Sequence, residues 1–152
     1  MDQYEICRET MRAIALGDDD KAHRLYRQLD AAGEGVYEVA LTMMFLAALQ
    51  VRFGTADLDL AAAQGFASEL QADHADTEPP VLESNVESLI RGVWSEEHLL
   101  DGLERDEEER LQHLAIRKIY SDSDDMQQRF DDYLADVENM TRYWVANEAL
   151  PD

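Results

Sequence analysis

Residues 36–53 read VYEVALTMMFLAALQVRF, a long and almost uncharged segment from which the expected architecture follows. Between residues 39 and 51 there is no charge, and Thr42 and Gln50 are the only polar side chains. As a helix these 13 residues rise about 20 Å, short of the ~30 Å hydrocarbon thickness of a bilayer. Because apolar residues occur on every face, the pattern predicts a central helix that other helices or a second subunit cover on several sides. An aspartate at Met44 or Leu46 is therefore expected to unfold the protein.

Start and stop signals predict further helices before this segment. Gly17 follows a first apolar stripe as a C-terminal cap, and Asp18 is the predicted N-cap of a second helix. Residues 33–35, Gly-Glu-Gly, predict a break before the third helix at residues 36–53. Gly54 is expected to end that third helix.

Two more helices are predicted in the middle of the chain. Thr55 or Asp57 is expected to begin the fourth helix. Pro79-Pro80 is expected to begin the fifth, because proline lacks only a backbone donor that would be unpaired at a helix start.

The C-terminal third carries three more helical patterns. Ser95 caps a short sixth helix, and the acids at residues 106–109 favour a seventh helix start because they lie at its positive dipole end. Ser121 or Ser123 opens the last helix. Apolar residues repeat along it every three or four positions as a heptad seam, which we expect to pack against the protein's own core: Met126, Phe130, Tyr133, Val137, Met140 and Trp144.

These patterns together predict an all-α single domain over residues 1–152, with about eight helices in a bundle or in stacked helical hairpins. Residues 17–26 resemble the second half of a tetratricopeptide repeat, where a Gly-Asp turn precedes a helix with alanine and aromatic positions. The signature does not return about 34 residues later, as an array of such repeats would require.

The charge of the chain is strongly negative. Its 34 acids and 13 bases give a formal charge of −21, and both halves are negative, −8 for residues 1–76 and −13 for residues 77–152. Nucleic acids and anionic membranes would be repelled, since both need Lys and Arg to neutralise phosphates. The expected partner is therefore a basic protein, with DNA mimicry and a homodimer left as alternatives. A salt-adapted or high-GC source would produce the same acidity without any functional meaning.

Cysteine usage and the N-terminal residues predict a cytoplasmic protein. Cys7 is the only cysteine, so no intramolecular disulfide forms, and its apolar neighbours predict a buried side chain. The acidic start Met1-Asp2-Gln3 lacks the basic and apolar regions of a secretion signal.

The histidines offer two pairs with the spacing of metal ligands on one helix face. Asp20 precedes His23 by three residues, and Glu109 precedes His113 by four. A carboxylate-bridged di-metal bundle needs Glu-x-x-His pairs, and no such motif occurs in the sequence. We therefore interpret both pairs as solvated helix faces and predict no cofactor.

The acids at residues 104–110 resemble the helical glutamate clusters of all-α nucleotide pyrophosphohydrolases. Glu104 and Glu108 share a face, and Asp132 and Asp136 on the last helix supply a second acidic pair. The resemblance implies a Mg²⁺-dependent nucleotide phosphohydrolase as an alternative function. The Glu-Glu-x-x-Glu run and the Glu-x-x-Asp partner of that family are both missing here.

The sequence favours a non-catalytic protein-binding module over the phosphohydrolase. Such a module would be an adaptor or an inhibitor of the immunity-protein type. No P-loop, dinucleotide-binding or nucleophile-elbow motif is present. Acidic side chains on the last two long helices are the expected partner-binding residues: Glu104, Glu107, Glu108, Asp131, Asp132 and Asp136.

Overall fold

A computed structural model describes residues 1–147, and every regular element in this part of the chain is helical. The elements are α1 (Gln3–Leu16), α2 (Asp19–Tyr26), α3 (Ala31–Phe53), α4 (Leu60–Asp73), α5 (Glu83–Trp94), a 3-10 helix (Glu97–Gly102), α6 (Arg105–Asp122), α7 (Asp124–Gln128) and α8 (Phe130–Asn147). The prediction of an all-α fold with about eight helices is confirmed.

Helix α3 is the centre of the bundle. It packs mainly against α1, α6 and α8, and more lightly against α5. Met44, Phe45 and Leu49 are completely inaccessible to water, and they join one apolar cluster with residues from the other α-helices. Coverage is incomplete on one side, where Leu46 is only half-buried. Helix α3 is also long and apolar enough to cross a membrane, a test that the buried core helix of a soluble protein passes equally well.

Ion pairs near both ends of α3 and α6 show in which direction the two helices run relative to each other. Arg105 at the start of α6 pairs with Glu38 in the first half of α3. Arg52 near the end of α3 reaches Asp122 at the end of α6, with 3.4 Å between Nη1 and Oδ2. The two helices therefore run parallel.

The local cap signals near Gly17 operate as predicted. Gly17 has φ +79°, and the amide of Asp18 donates to the carbonyl of Ala13 at 2.8 Å. This is the hydrogen-bonding pattern of a Schellman cap. The Asp18 carboxylate then accepts from the amide of Lys21, which caps α2. At the end of α3, Gly54 has φ +84° and ends the helix as predicted.

The predicted break at residues 33–35 is wrong, because α3 begins at Ala31 and contains both glycines. The Asp30 carboxylate accepts from the amide of Gly33 at 2.8 Å and caps the helix earlier than expected. A Cβ at residue 33 would lie 2.9 Å from a Leu29 methyl carbon. Glycine is therefore needed there for a close approach rather than for a break.

The predicted starts of α4, α5 and the short helix after Ser95 are also wrong, since Ser95 is the C-cap of α5 and Glu96 is the N-cap of the 3-10 helix. Asp59, rather than Thr55 or Asp57, caps α4 by accepting from the amides of two following alanines. Helix α5 begins at Glu83, three residues after Pro80. Its first amide donates to the side-chain oxygen of Gln71 on α4 at 2.7 Å, so the cap comes from another helix.

The predicted last helix consists of two helices. Ser123 caps the short α7, and α8 starts afresh at Phe130. The buried positions of α8 are Phe130, Leu134, Val137 and Thr141, whereas Met140 is 45% exposed. The predicted heptad seam is therefore wrong beyond Val137. Thr141 is buried in place of Met140, four residues after Val137 on the same helix face, and its hydroxyl is satisfied by donating to the carbonyl of Val137 at 2.7 Å.

Candidate functional site

A buried tyrosine and a histidine meet between α3 and α6. Tyr37 is fully buried, and its hydroxyl lies 2.8 Å from Nε2 of His113. A buried phenol requires a hydrogen-bond partner, and His113 supplies it across 76 residues of sequence. The direction of this bond depends on the histidine tautomer.

Both members of this pair are neutral near pH 7. Burial and, to a lesser extent, the nearby positive charge of Arg117 lower the pKa of His113 to about 4, although Asp19 opposes the change. Burial also raises the pKa of Tyr37 well above its usual value, with Glu109 adding to the effect. The pair is therefore an uncharged donor and acceptor set within an apolar surrounding.

A cavity of about 330 Å³ opens next to this pair, between α1, α2, α3 and α6. Its walls include the apolar side chains of Ile14 and Ala22 and the rings of Tyr26 and Tyr37, which meet edge to face with 5.2 Å between centroids. The polar groups at the cavity are Asp19, His23, Glu109 and His113. An apolar cavity with a few converging polar groups is the usual form of a binding site.

Glu109 is the carboxylate of this cavity with the strongest acidic surroundings. Burial raises its pKa first, and Glu38, Asp106 and Glu34 raise it further, while Arg105 lowers it. Asp19, by contrast, already forms an ion pair with Arg117. Glu109 therefore carries its charge at an electrostatic cost that a cation in the cavity would reduce.

A smaller cleft lies on the other side of Glu109, between the first turns of α6 and the first half of α3. Glu38, Glu108 and Arg105 contribute to its walls together with Gln112. Gln112 is 4% exposed, and its side-chain nitrogen Nε2 has no hydrogen-bond partner in the part of the chain described. The cleft is small, about 30 Å³, which is room for a water molecule.

The six acids predicted as partner-binding residues fall on two separate helices. Glu104 is the exposed N-cap position of α6, Glu107 pairs with Arg110, and Glu108 lines the small cleft.

On α8, the predicted acids face other surroundings. Asp131 pairs with Arg12 on α1 at 2.8 Å, and Asp132 and Asp136 are exposed. Across residues 1–147, no three His, Cys, Asp or Glu side chains lie close enough together to hold a metal ion. The structure thus adds no observation in favour of the Mg²⁺-dependent alternative.

The interpretation of Glu109 and His113 as a solvated face is wrong, since both are partly buried and line the cavity. One signal in the sequence could have indicated this: His113 lies between Leu111 and the apolar pair Ala115-Ile116 on α6. The sequence around Tyr37 gave no sign of its contact with His113, because a tyrosine in an apolar helix is expected simply to pack in the core. The prediction of a buried Cys7 is confirmed, and burial raises the pKa of its thiol to about 12.

Comparison with known proteins gives no match among protein-family models, curated proteins or solved structures.

We expect His113 to remain uncharged until the pH falls to about 4. In the unfolded chain the ring takes up a proton near pH 6.5, so the stability contributed by neutral His113 is lost as the pH falls from 6.5 towards 4. An NMR titration of the His113 Hε1 signal should give a midpoint near 4. A midpoint at or above 6 would contradict the buried placement of this ring.

Proposed function

We propose that this protein is a non-catalytic module that binds a basic protein, as an adaptor or an inhibitor. The supporting observation is that most of its basic side chains are already paired with its own acids. Among the acids of residues 1–147, ten of the thirteen basic side chains find an ion-pair partner: Arg8, Arg12, Arg52, Arg91, Arg105, Arg110, Arg117, Lys118, Arg129 and Arg142. The excess carboxylates therefore face water with few free cations among them.

The remaining three basic side chains lie together. Lys21 and Arg24 are exposed on α2, and Arg27 directly follows that helix. A basic partner would avoid this face of α2 and approach where carboxylates predominate. The first turns of α6 offer such a surface, with Glu104, Asp106 and Glu108 close to the start of α3.

The expected consequence is association that depends strongly on salt. Opposite charges raise the on-rate of two proteins by a factor of about 10 to 1,000, and this gain fades as the Debye length falls from about 10 Å at 0.1 M salt to about 3 Å at 1 M. A partner retrieved from the native cell extract at low salt should be basic. Its on-rate, measured by surface plasmon resonance, should fall at least tenfold between the two salt concentrations.

Two variants with equal loss of charge test which surface is used. The first replaces Glu104 and Glu108 by glutamine and Asp132 and Asp136 by asparagine. The matched control neutralises four exposed acids elsewhere: Asp57, Asp76, Glu78 and Glu97.

The first variant should reduce the on-rate several-fold more than the control. Equal reduction by both variants would mean that only the total charge matters. Failure to retrieve any basic protein, combined with folding only in molar salt, would make the acidity an adaptation to the environment and would defeat the proposal.

A further inference from the structure

The cavity between α1, α2, α3 and α6 has the chemistry of a site for one long cationic side chain. The side chains of Ile14 and Ala22 line it and match an aliphatic stem, and the partly exposed ring of Tyr26 provides aromatic surface in front of the fully buried Tyr37. Within the part of the chain described, no Lys or Arg lines this cavity, and Arg117 at its margin is paired with Asp19. Glu109 therefore keeps its charge available on the cavity side.

The negative charge at the cavity is concentrated beside the aromatic wall. Glu109 lines the cavity, and the basic side chain that acts on it, Arg105, is already engaged by Glu38. Tyr26 lies in the same field, since Glu109 and Glu34, after burial, raise the pKa of its phenol. A cation between Glu109 and Tyr26 would gain from the carboxylate and from the aromatic ring together.

The other polar groups beside Glu109 do not oppose a cation. His113 and Tyr37 are neutral and hydrogen-bonded to each other, so they add no positive charge at the cavity. Arginine carries five donors in a planar fork, stacks on aromatic rings and is more weakly hydrated than lysine. Arginine side chains also occupy aromatic surface within this chain, where the guanidinium carbon of Arg142 lies 3.9 Å from the Tyr4 ring centroid.

We propose that this cavity receives one arginine side chain of the basic partner, with its guanidinium group beside Glu109 and its aliphatic stem against Ile14 and Ala22. The proposal rests on the proposed function for the source of the arginine, and it makes the cavity the anchor point of the interface. Anchor residues in pockets dominate the energy of many interfaces, whereas exposed charges mainly set the association rate.

The test uses three short peptides that differ in one side chain, acetyl-Gly-X-Gly-amide with X as arginine, citrulline or lysine. Citrulline has nearly the shape of arginine without its charge. The arginine peptide should shift the NMR signals of His113 Hε1 and the Tyr37 ring in a saturable manner. The lysine peptide should bind several-fold more weakly, and the citrulline peptide should produce no saturable shift. Equal binding of all three, or tighter binding of lysine, would overturn the proposal.

Two variants of the protein examine the site itself. Ala22→Leu fills the cavity with a residue that favours helices, and Glu109→Gln removes the charge while keeping the shape. Each should weaken the arginine peptide at least tenfold. Glu97→Gln is the charge-matched control on the exposed 3-10 helix, and it should change the affinity less than twofold. Circular dichroism checks that the variants fold, and Glu109→Gln remains informative if Ala22→Leu does not.

The results separate this proposal from the proposed function. A ten-residue arginine peptide that binds with strong salt dependence, but equally well to wild type and Ala22→Leu, would overturn the cavity as anchor and leave the acidic surface as the binding site. If the arginine peptide occupies the cavity, but no basic protein is retrieved from cells and the protein folds only in molar salt, the result would support the cavity and defeat the proposed function.

Discussion

Met44→Asp should leave the protein largely unfolded at 25 °C. Met44 is completely inaccessible to water at the centre of α3, where no basic side chain is buried beside it in the described core. The unpaired carboxylate should cost about 3–5 kcal/mol and the lost packing of the methionine about 2–5 kcal/mol more, and together these losses are comparable to the 5–15 kcal/mol that stabilises a typical domain. Urea denaturation followed by circular dichroism measures the loss.

Leu46→Asp on the same helix is the matched control. The sequence pattern alone predicts equal damage at both positions, because the segment is apolar all round. The structure corrects this expectation, since Leu46 is half-buried and an aspartate there can reach water. Its cost should be less than half that of Met44→Asp. Equal costs would show that a further surface covers this side of α3.

Gly92→Ala should lower the free energy of unfolding by about 2 kcal/mol, although alanine favours helices by about 1 kcal/mol over glycine. Gly92 is buried in α5, and a Cβ there would lie 2.5 and 2.6 Å from Leu100 Cδ2 and Cγ and 3.4 Å from the Leu100 backbone nitrogen. The side chain of Leu100 and the 3-10 helix that carries it would have to move.

Gly65→Ala on α4 should have the opposite sign. An added Cβ at Gly65 would meet nothing within 4 Å, and the residue is exposed. The substitution should therefore raise the free energy of unfolding by about 0.5–1 kcal/mol through helix propensity and the unfolded state. Chemical denaturation of both variants provides the comparison. A stabilising Gly92→Ala would mean that Leu100 packs more loosely against α5 than the structure indicates.

Features decided within a few residues could be predicted from the sequence. Gly17, Asp18 and Gly54 act through hydrogen bonds to their own helix ends, so the local pattern contains everything that determines them. Where several residues could cap the same helix, the local pattern does not show which one does, and the predicted helix start can then be wrong. Asp59 is preferred over Thr55 as the cap of α4, and the sequence offers no measure of that preference.

Features made by distant residues could not be predicted. The first amide of α5 is capped by Gln71 from α4, and the cavity depends on Tyr37 meeting His113 across 76 residues. Neither contact leaves a periodic signal, because each involves a single polar side chain at the edge of an apolar stripe. The partner-binding acids remain a prediction from charge. A sequence does not distinguish exposed carboxylates that bind a partner from exposed carboxylates that do not.

Arg117 has a kinetic consequence for access to the cavity. From α6, its Nε donates to the carbonyl of Ile14 at 2.9 Å, and its guanidinium also pairs with Asp19 at the start of α2. Local opening of α2 away from α6 must break the ion pair with Asp19, whereas the contact with Ile14 joins α6 to α1 and can persist. A ligand that displaces α2 would therefore enter no faster than this ion pair opens. Arg117 is thus expected to slow the entry of such a ligand while the end of α1 stays attached to α6.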